Sequence, residues 1–318
     1  MRYFINKIPL NLINFYDQLI IFKNIFSNKI PVNRDGQENL SCIPFIIISS
    51  GRAGTTLLRV ILTKNSQISI PPESQFLHDA LRKFLSYNYL GWDELVKIVV
   101  GELESKKIFR HWEINLYPVY RKLSNIEEKN RSLAKIIDEI YLTFLRSKEP
   151  RALIWGDKSP LHTYYINWID KIFPRIKYIH LIRDGRAVVN SMLNRNYLNN
   201  TITKACKRWN KSINIVNKFK KKKNKDDFFE LKYEDLVLKP EKIIKKVCSF
   251  IDVNFENQMI RSSVSIENYG DTILPHHSNL KKPINKKSID RWKWELSKKQ
   301  KNIIYKKLSK NLALLGYL

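Results

Sequence analysis

The sequence predicts an α/β fold: a central, mainly parallel sheet with helices on both faces. Three observations carry this. Residues 43–49 form an apolar run of strand length that passes through a glycine-flanked basic turn directly into a helical pattern, and residues 176–182 do the same before a second basic turn. Between and after them, apolar runs of strand length alternate with stretches of helical periodicity, the signature of parallel strands joined by crossover helices. The 318 residues suffice for one large, well-buried domain, and no internal repeat or low-complexity linker divides them, so a single domain over residues 1–318 is expected.

In chain order, the first strand is followed by a helix over 55–64, a short strand over 67–70 that ends at Pro71-Pro72, and a helix over 74–87. Residues 90–147 read as mostly helical, an insertion placed to cover a site at the mouth of the sheet. A strand over 152–155 precedes a helix that opens on Pro160, where proline suits the first turn, and runs to 172. The strand over 176–182 leads to helices over 186–195 and 201–221. A last strand over 228–232 is followed by helices over 240–251 and 297–311. Residues 1–40 form an N-terminal helical extension, in which the amphipathic stretch 12–26 either packs on its own domain or rests on a membrane or partner.

The first turn has the makings of a phosphate cradle. Gly51 and Gly54 permit tight backbone geometry, and Ala53 lies between Arg52 and Gly54 without bulk. Thr55 and Thr56 bring two hydroxyls to a helix start, where unpaired N–H groups and the positive end of the macrodipole favour an anion. Arg52 adds a fixed cation. No lysine follows the second glycine, so the magnesium-nucleotide form of such a loop is not spelled. In the second turn, Arg183 closes its strand and Ser191 lies about two helical turns further on, so one extended phosphate meets both.

Ser-Gly-Arg-Ala-Gly-Thr-Thr-Leu-Leu-Arg (50–59) resembles the 5′-phosphosulfate loop of sulfotransferases that use 3′-phosphoadenosine 5′-phosphosulfate (PAPS). Arg-Asp-Gly-Arg (183–186) followed by Ser191 resembles the 3′-phosphate element of the same family, and the two occur in the family's order. The resemblance covers residues 43–75, 152–195, 228–252 and 276–296, and the motif pattern is nearest the tyrosylprotein and glycan branch. It implies a P-loop-like three-layer domain and in-line transfer of a sulfuryl group from PAPS to an acceptor hydroxyl on a glycan, a lipid or small alcohol, or a peptide tyrosine. This chemistry requires no metal.

The resemblance also implies roles. Gly51, Arg52, Ala53, Gly54, Thr55 and Thr56 would hold the 5′-phosphosulfate, with Arg52 stabilising charge on the leaving phosphate rather than acting as an acid. Arg183 and Ser191 would bind the 3′-phosphate, and Tyr233 in Leu-Lys-Tyr-Glu-Asp-Leu-Val would lie near the adenine, the alternative being an ordinary core tyrosine. Ser278 and Arg291, with Lys286 and Lys287, fall in a segment similar to the one that closes over the donor. Lys158, in Trp-Gly-Asp-Lys-Ser-Pro, follows a predicted strand and is either a transition-state contact or a surface partner of Asp157. Glu73, in Pro-Pro-Glu-Ser, matches the family's glutamate base; otherwise it caps the following helix or pairs with Arg82. His78 and His111 are the rival bases.

Bulk features agree with an anionic ligand without choosing one. The balance of 57 Lys+Arg against 30 Asp+Glu gives a formal charge of +27, a field that attracts PAPS, sulfated glycans, nucleic acid or anionic membrane alike. Lys220–Lys223 is the one tight basic block and reads as a solvated helix end, so no specific nucleic acid is expected. Cys42, Cys206 and Cys248 are odd in number and widely spaced, which argues against a disulfide framework or structural zinc. Lys7, Asn11, Asp17 and Lys23 interrupt the N-terminal apolar residues, so a soluble, cytoplasmic enzyme is expected, with at most a peripheral membrane contact. Two other classes remain in view: a phosphate-loop kinase or nucleotidase, which needs a cradle lysine and magnesium ligands, and a non-catalytic basic protein that binds polyanions.

Overall fold

The computed structural model describes residues 30–34, 40–194, 201–261 and 286–318. Its centre is a five-stranded sheet of β1 (Phe45–Ile48), β2 (Ile68–Ser69), β3 (Ile154–Lys158), β4 (Lys177–Ile182) and β5 (Phe228–Lys232), in the order β2-β3-β1-β4-β5. All four pairings are parallel. Every strand therefore ends on the same side, and β1 sits at the centre with β3 and β4 beside it. Ligands of open α/β sheets gather at that carboxyl edge.

The expected three-layer α/β architecture is the one found. Alternate residues of β1 face opposite layers, because successive side chains of a strand point to opposite faces. Ile46 and Ile48 join a large core with α2 (Leu77–Tyr87), α3 (Trp92–Glu104), α4 (Tyr117–Ser124), α5 (Leu133–Lys148) and α6 (Ile166–Ile172). Phe45 and Ile47 pack on the other side against α1 (Thr55–Leu62), α9 (Tyr233–Leu238) and α10 (Pro240–Phe250). A third cluster joins α7 (Gly185–Leu193), α8 (Ile202–Lys220) and α13 (Lys298–Leu314). The short helices α11 (Lys287–Asp290) and α12 (Trp292–Glu295) precede α13, which starts in a capping box of Ser297 and Gln300.

Several boundaries differ from the sequence expectation, each for a local reason. β3 runs to Lys158 instead of ending at 155, so Lys158 is the last residue of a strand and not a residue beyond it. The helix expected from 74 starts at Leu77, because the Ser74 hydroxyl accepts from Phe76 N (3.3 Å) and Gln75 adopts φ 52°. The Pro160 helix begins as a 3₁₀ turn, Pro160–Tyr165, before α6. Lys220 pairs with Glu230 and Lys223 with Asp170 (2.7 Å), so the two ends of the basic block are tied down, while Lys221 and Lys222 are exposed. All three cysteines are free thiols, and burial pushes Cys42 up to about 11. No helix among the described residues is long and apolar enough to cross a membrane. The amphipathic stretch 12–26 lies outside the described residues.

Candidate active site

The loop from β1 to α1 forms the floor of the site. Gly51, Arg52 and Gly54 all have positive φ (76°, 57° and 96°). For Arg52 this is a strained conformation that the surrounding contacts must hold. They do so from several elements: Ser49 N donates to Thr163 Oγ1 (3.0 Å), Thr163 donates back to Ser49 O (2.7 Å), and Gly51 N donates to Ser49 Oγ (3.1 Å). Gly54 ends the loop against Tyr233: a Cβ at this position would lie 2.4 Å from the tyrosine ring. No side chain caps α1 and no acid lies in its first turn, so its first N–H groups have neither a helical partner nor a side-chain cap.

Arg183, the residue after β4, crosses to this loop. Its Nη1 donates to Arg52 O (3.1 Å) and its Nη2 to Ser288 O (2.6 Å), while its guanidinium lies 4.4 Å from the centre of the Tyr233 ring. Burial lowers its pKa, which favours a nearby anion as counter-charge. Its Nε is buried and has no hydrogen-bond partner among the described residues. Arg52 Nε reaches Ser191 Oγ on α7 (3.3 Å), and Tyr233 shares a hydrogen bond with Ser288 Oγ (2.7 Å). Thus Arg52, Gly54, Arg183, Ser191 and Tyr233, scattered over four elements, meet at one edge of the sheet.

Glu73 and Lys158 meet beside them. Ile47 of β1 pairs in register with Lys158 of β3, which sets the lysine next to the foot of the loop. Lys158 Nζ donates to Glu73 Oε2 at 2.9 Å; the lysine side chain is 1% exposed and the glutamate 21%. Gln75 Nε2 donates to the other oxygen of Glu73 (2.9 Å). The chain around Glu73 is pinned from behind: Arg59 of α1 donates to Pro71 O (3.1 Å), Trp112 Nε1 to Pro72 O (2.9 Å), and Gln75 N to Ser159 Oγ (3.1 Å). Trp112 lies in the mostly helical region 90–147, which therefore buttresses the Glu73 segment.

The alternatives for these residues resolve geometrically. Arg82 faces Asp79 (3.7 Å), not Glu73. Asp157 is not the partner of Lys158; it is buried and bound to His162 Nε2 (2.8 Å), Tyr141 Oη and Ser74 Oγ (3.2 Å). Burial alone would raise its carboxyl, but His162 and the two hydroxyls outweigh that and hold it below the usual range. His78 is buried, stacked on Tyr165 at 3.6 Å, with Nδ1 3.4 Å from Asp79. His111 ends a separate 3₁₀ turn, Lys107–His111.

Near the C-terminus, Arg291 forms a two-bond contact with Glu295 (2.8 and 2.6 Å), whose carboxylate also accepts from Asn190 and Asn194. Lys286 is exposed, and Ser278 lies outside the described residues. Asp184 and Arg186 form the ion pair expected of the second turn (2.8 Å). Two contributors were not foreseen: Ser288 links Arg183 to Tyr233, and Arg59 positions the Pro71-Pro72 turn. Arg59 stands within the loop motif itself, which was the signal available for it. Ser288 is brought in by a distant segment and had none.

Comparison with known proteins agrees with this geometry. The model of the sulfotransferase family matches residues 44–257, more than half of the chain. Protein-tyrosine sulfotransferase A of Caenorhabditis elegans is 23% identical over 270 residues, covering 81% of this chain and 63% of that protein. The protein-tyrosine sulfotransferase of Drosophila melanogaster is 24% identical over 263 residues, covering 79% of this chain and 47% of that one. The chain thus spans about half to two thirds of the length of these curated relatives. Among solved structures, the sulfotransferase domain of the Synechococcus PCC 7002 olefin synthase shares the fold, with a TM-score of 0.57 at 22% identity over 84% of this chain and 95% of that one. With its family match running from β1 through β5, this chain belongs to the sulfotransferase family.

Proposed function

We propose that the protein transfers a sulfuryl group from PAPS to an acceptor hydroxyl, with a peptide tyrosine as the first acceptor to test. The observation that carries this reading is the Glu73–Lys158 pair beside the loop on which Arg52, Arg183 and Ser191 converge. The residues suit the donor. The uncapped start of α1 and the run of positive φ favour a 5′-phosphosulfate, and the buried Nε of Arg183 is a donor for a second anionic group. The names of the relatives support a tyrosine acceptor, and glycan or small-alcohol hydroxyls are the other classes to test.

When bound, PAPS supplies a sulfuryl group already attached to a good leaving group, its 5′-phosphate. Glu73 accepts the proton of the acceptor hydroxyl, a general-base role that needs the carboxylate within hydrogen-bond reach of that hydroxyl. Protonation removes the charge that pairs Glu73 with Lys158. The buried ammonium then serves the negative charge developing beside the loop. Arg52 and the first N–H groups of α1 neutralise the leaving phosphate, while Arg183, Ser191 and Tyr233 hold the adenosine end. Arg291 reaches a 3′-phosphate only by leaving Glu295. The insertion at 90–147, which backs the Glu73 segment through Trp112, forms the acceptor side.

The test is calorimetric titration with 3′-phosphoadenosine 5′-phosphate (PAP), AMP and magnesium-ATP, followed by transfer of labelled sulfate from PAPS to a tyrosine peptide, a glycan and a small alcohol. Binding that requires the 3′-phosphate is expected, with transfer lost in Glu73→Gln while PAP binding is kept. Absence of any preference over AMP or ATP overturns the donor, and full turnover in Glu73→Gln overturns the base.

A further inference from the structure

Arg208 is a cation next to the loop that neither turn motif contains. It lies on α8, and its backbone is fixed: Tyr164 and Ser212 both donate to Arg208 O (3.4 and 3.1 Å), and the neighbouring Trp209 donates from Nε1 to Arg183 O (3.3 Å). From this anchored position the side chain reaches the start of the cradle. A Cβ on Gly51 would lie 3.8 Å from Arg208 Nη2 and 3.7 Å from Pro160 Cβ. Tyr233 occupies the other shoulder of the same loop, against Gly54. Arg208 and the Arg183–Tyr233 pair therefore flank the loop from different ends.

No carboxylate pairs with Arg208 among the described residues, and its Nε is buried with no hydrogen-bond partner among them. Lys158 and Arg186 each face a carboxylate, Glu73 and Asp184, whereas Arg183, like Arg208, keeps a buried Nε with no hydrogen-bond partner among the described residues. A half-buried guanidinium with an unmet N–H is costly to a fold unless an anion completes it. Its planar fork also matches a phosphate better than an ammonium does.

We propose that Arg208 is a donor-binding residue that grips the 5′-phosphosulfate end of the nucleotide from the Gly51 side of the loop. The inference rests on the donor reading above. It divides the binding work in two: Arg208 and Arg52 address the 5′ end, and Arg183 addresses the 3′-phosphate.

Calorimetry with two probes separates the ends. PAP carries both phosphates, whereas adenosine 3′-phosphate lacks the 5′ group. Arg208→Ala should weaken PAP binding about 10- to 100-fold, the range for one charge-assisted hydrogen-bonding group, while changing adenosine 3′-phosphate binding less than about 3-fold. Arg208→Lys, which keeps the charge and loses the fork, should fall between wild type and Arg208→Ala. The KM for PAPS should rise in parallel with the loss of PAP affinity. If melting shows that Arg208→Ala is unfolded, Arg208→Gln carries the same readings. Unchanged PAP affinity, or equal loss for both probes, overturns the role of Arg208 and leaves the donor reading standing. A wild-type protein that binds neither probe overturns the donor reading and the arginine's role together.

Discussion

After β1 the chain reaches α1 through Gly51, Arg52 and Gly54, all of positive φ, and no side chain caps the helix. After β4 it reaches α7 through Asp184, whose carboxylate accepts from Arg186 N (2.8 Å) and grips the Arg186 guanidinium as well. Both segments run strand, basic turn, helix. Yet the first leaves its helix start without a side-chain cap, whereas the second caps its helix with Asp184 and, on the donor reading proposed above, offers the Arg183 and Ser191 side chains instead. A helix N-terminus favours an anion in either case; in α7 the chain supplies that anion itself. The lesson is that a phosphate site can be built from backbone or from a side chain, and that the cap residue reveals which.

The largest expected effect tests the first turn. Arg52→Ala removes the side-chain cation that the loop itself carries and should lower kcat by about 10²–10³-fold, as loss of a preorganised charge-stabilising donor does. Affinity for PAP should change far less, because the N–H groups at the start of α1 remain. Steady-state kinetics beside calorimetry read the two separately. Unchanged kcat would mean that Arg52 does not stabilise the leaving phosphate.

Gly54→Ala attacks the backbone itself. The new Cβ would meet the Tyr233 ring at 2.4 Å, and alanine at φ 96° is strained whatever the space. Overpacking and strain together should cost about 2–4 kcal/mol, read as a lower Tm, and donor affinity should fall with it. A stable variant with normal PAP binding would show that the loop tolerates another path and that its φ values are not what shapes the site.

Arg183→Ala tests the turn built from a side chain. It should raise the Kd for PAP by about 10- to 100-fold, which is the scale of lost hydrogen bonds from a charged group. It should also erase the preference for PAP over AMP, since Arg183 is assigned to the 3′-phosphate. A uniform loss for both nucleotides would place Arg183 as a support for Arg52 O instead, a role its 3.1 Å bond to that carbonyl would explain.

How much of this was readable depends on how local each cause is. The two glycines, Arg52 and Arg183 announce themselves because turn geometry and strand ends are set by neighbours in sequence. The strand over 228–232 was legible for the same reason: Phe228, Phe229 and Leu231 make a short apolar run within the segment itself. The extension of β3 to Lys158 was hidden, because Gly156 and Asp157 have poor strand propensity and are kept there by pairing with β1 and by the Tyr141, Ser74 and His162 contacts. The true start of α2 was hidden likewise, since Ser74 and Gln75 are held by Asp157 and Ser159 from β3 and the residue beyond it. Glu73 and Lys158 were each readable as candidates, but their pairing was not, because nothing within either segment points to the other. Ser288 and Arg208 belong to the same class, residues that only the assembled sheet edge brings to the loop.

The smallest effect sharpens the contrast between the turns. Asp184→Ala removes the cap of α7 and leaves Arg186 with Tyr317 O and the Trp292 ring as its remaining contacts. Loss of a cap costs about 1 kcal/mol, and loss of a half-buried pair adds to it, so a destabilisation of about 1–2 kcal/mol is expected in denaturant unfolding. The PAP-to-AMP preference should stay at the wild-type value, because Arg183 keeps both of its carbonyl contacts without Asp184. If that preference collapses instead, the carboxylate also orients Arg183, and the second turn would be a single unit in which cap and ligand site are not separable. The Asp184→Asn variant distinguishes these outcomes: an amide still caps a helix through its oxygen but no longer pairs with Arg186, so stability should recover in part while any loss that depends on the charge persists.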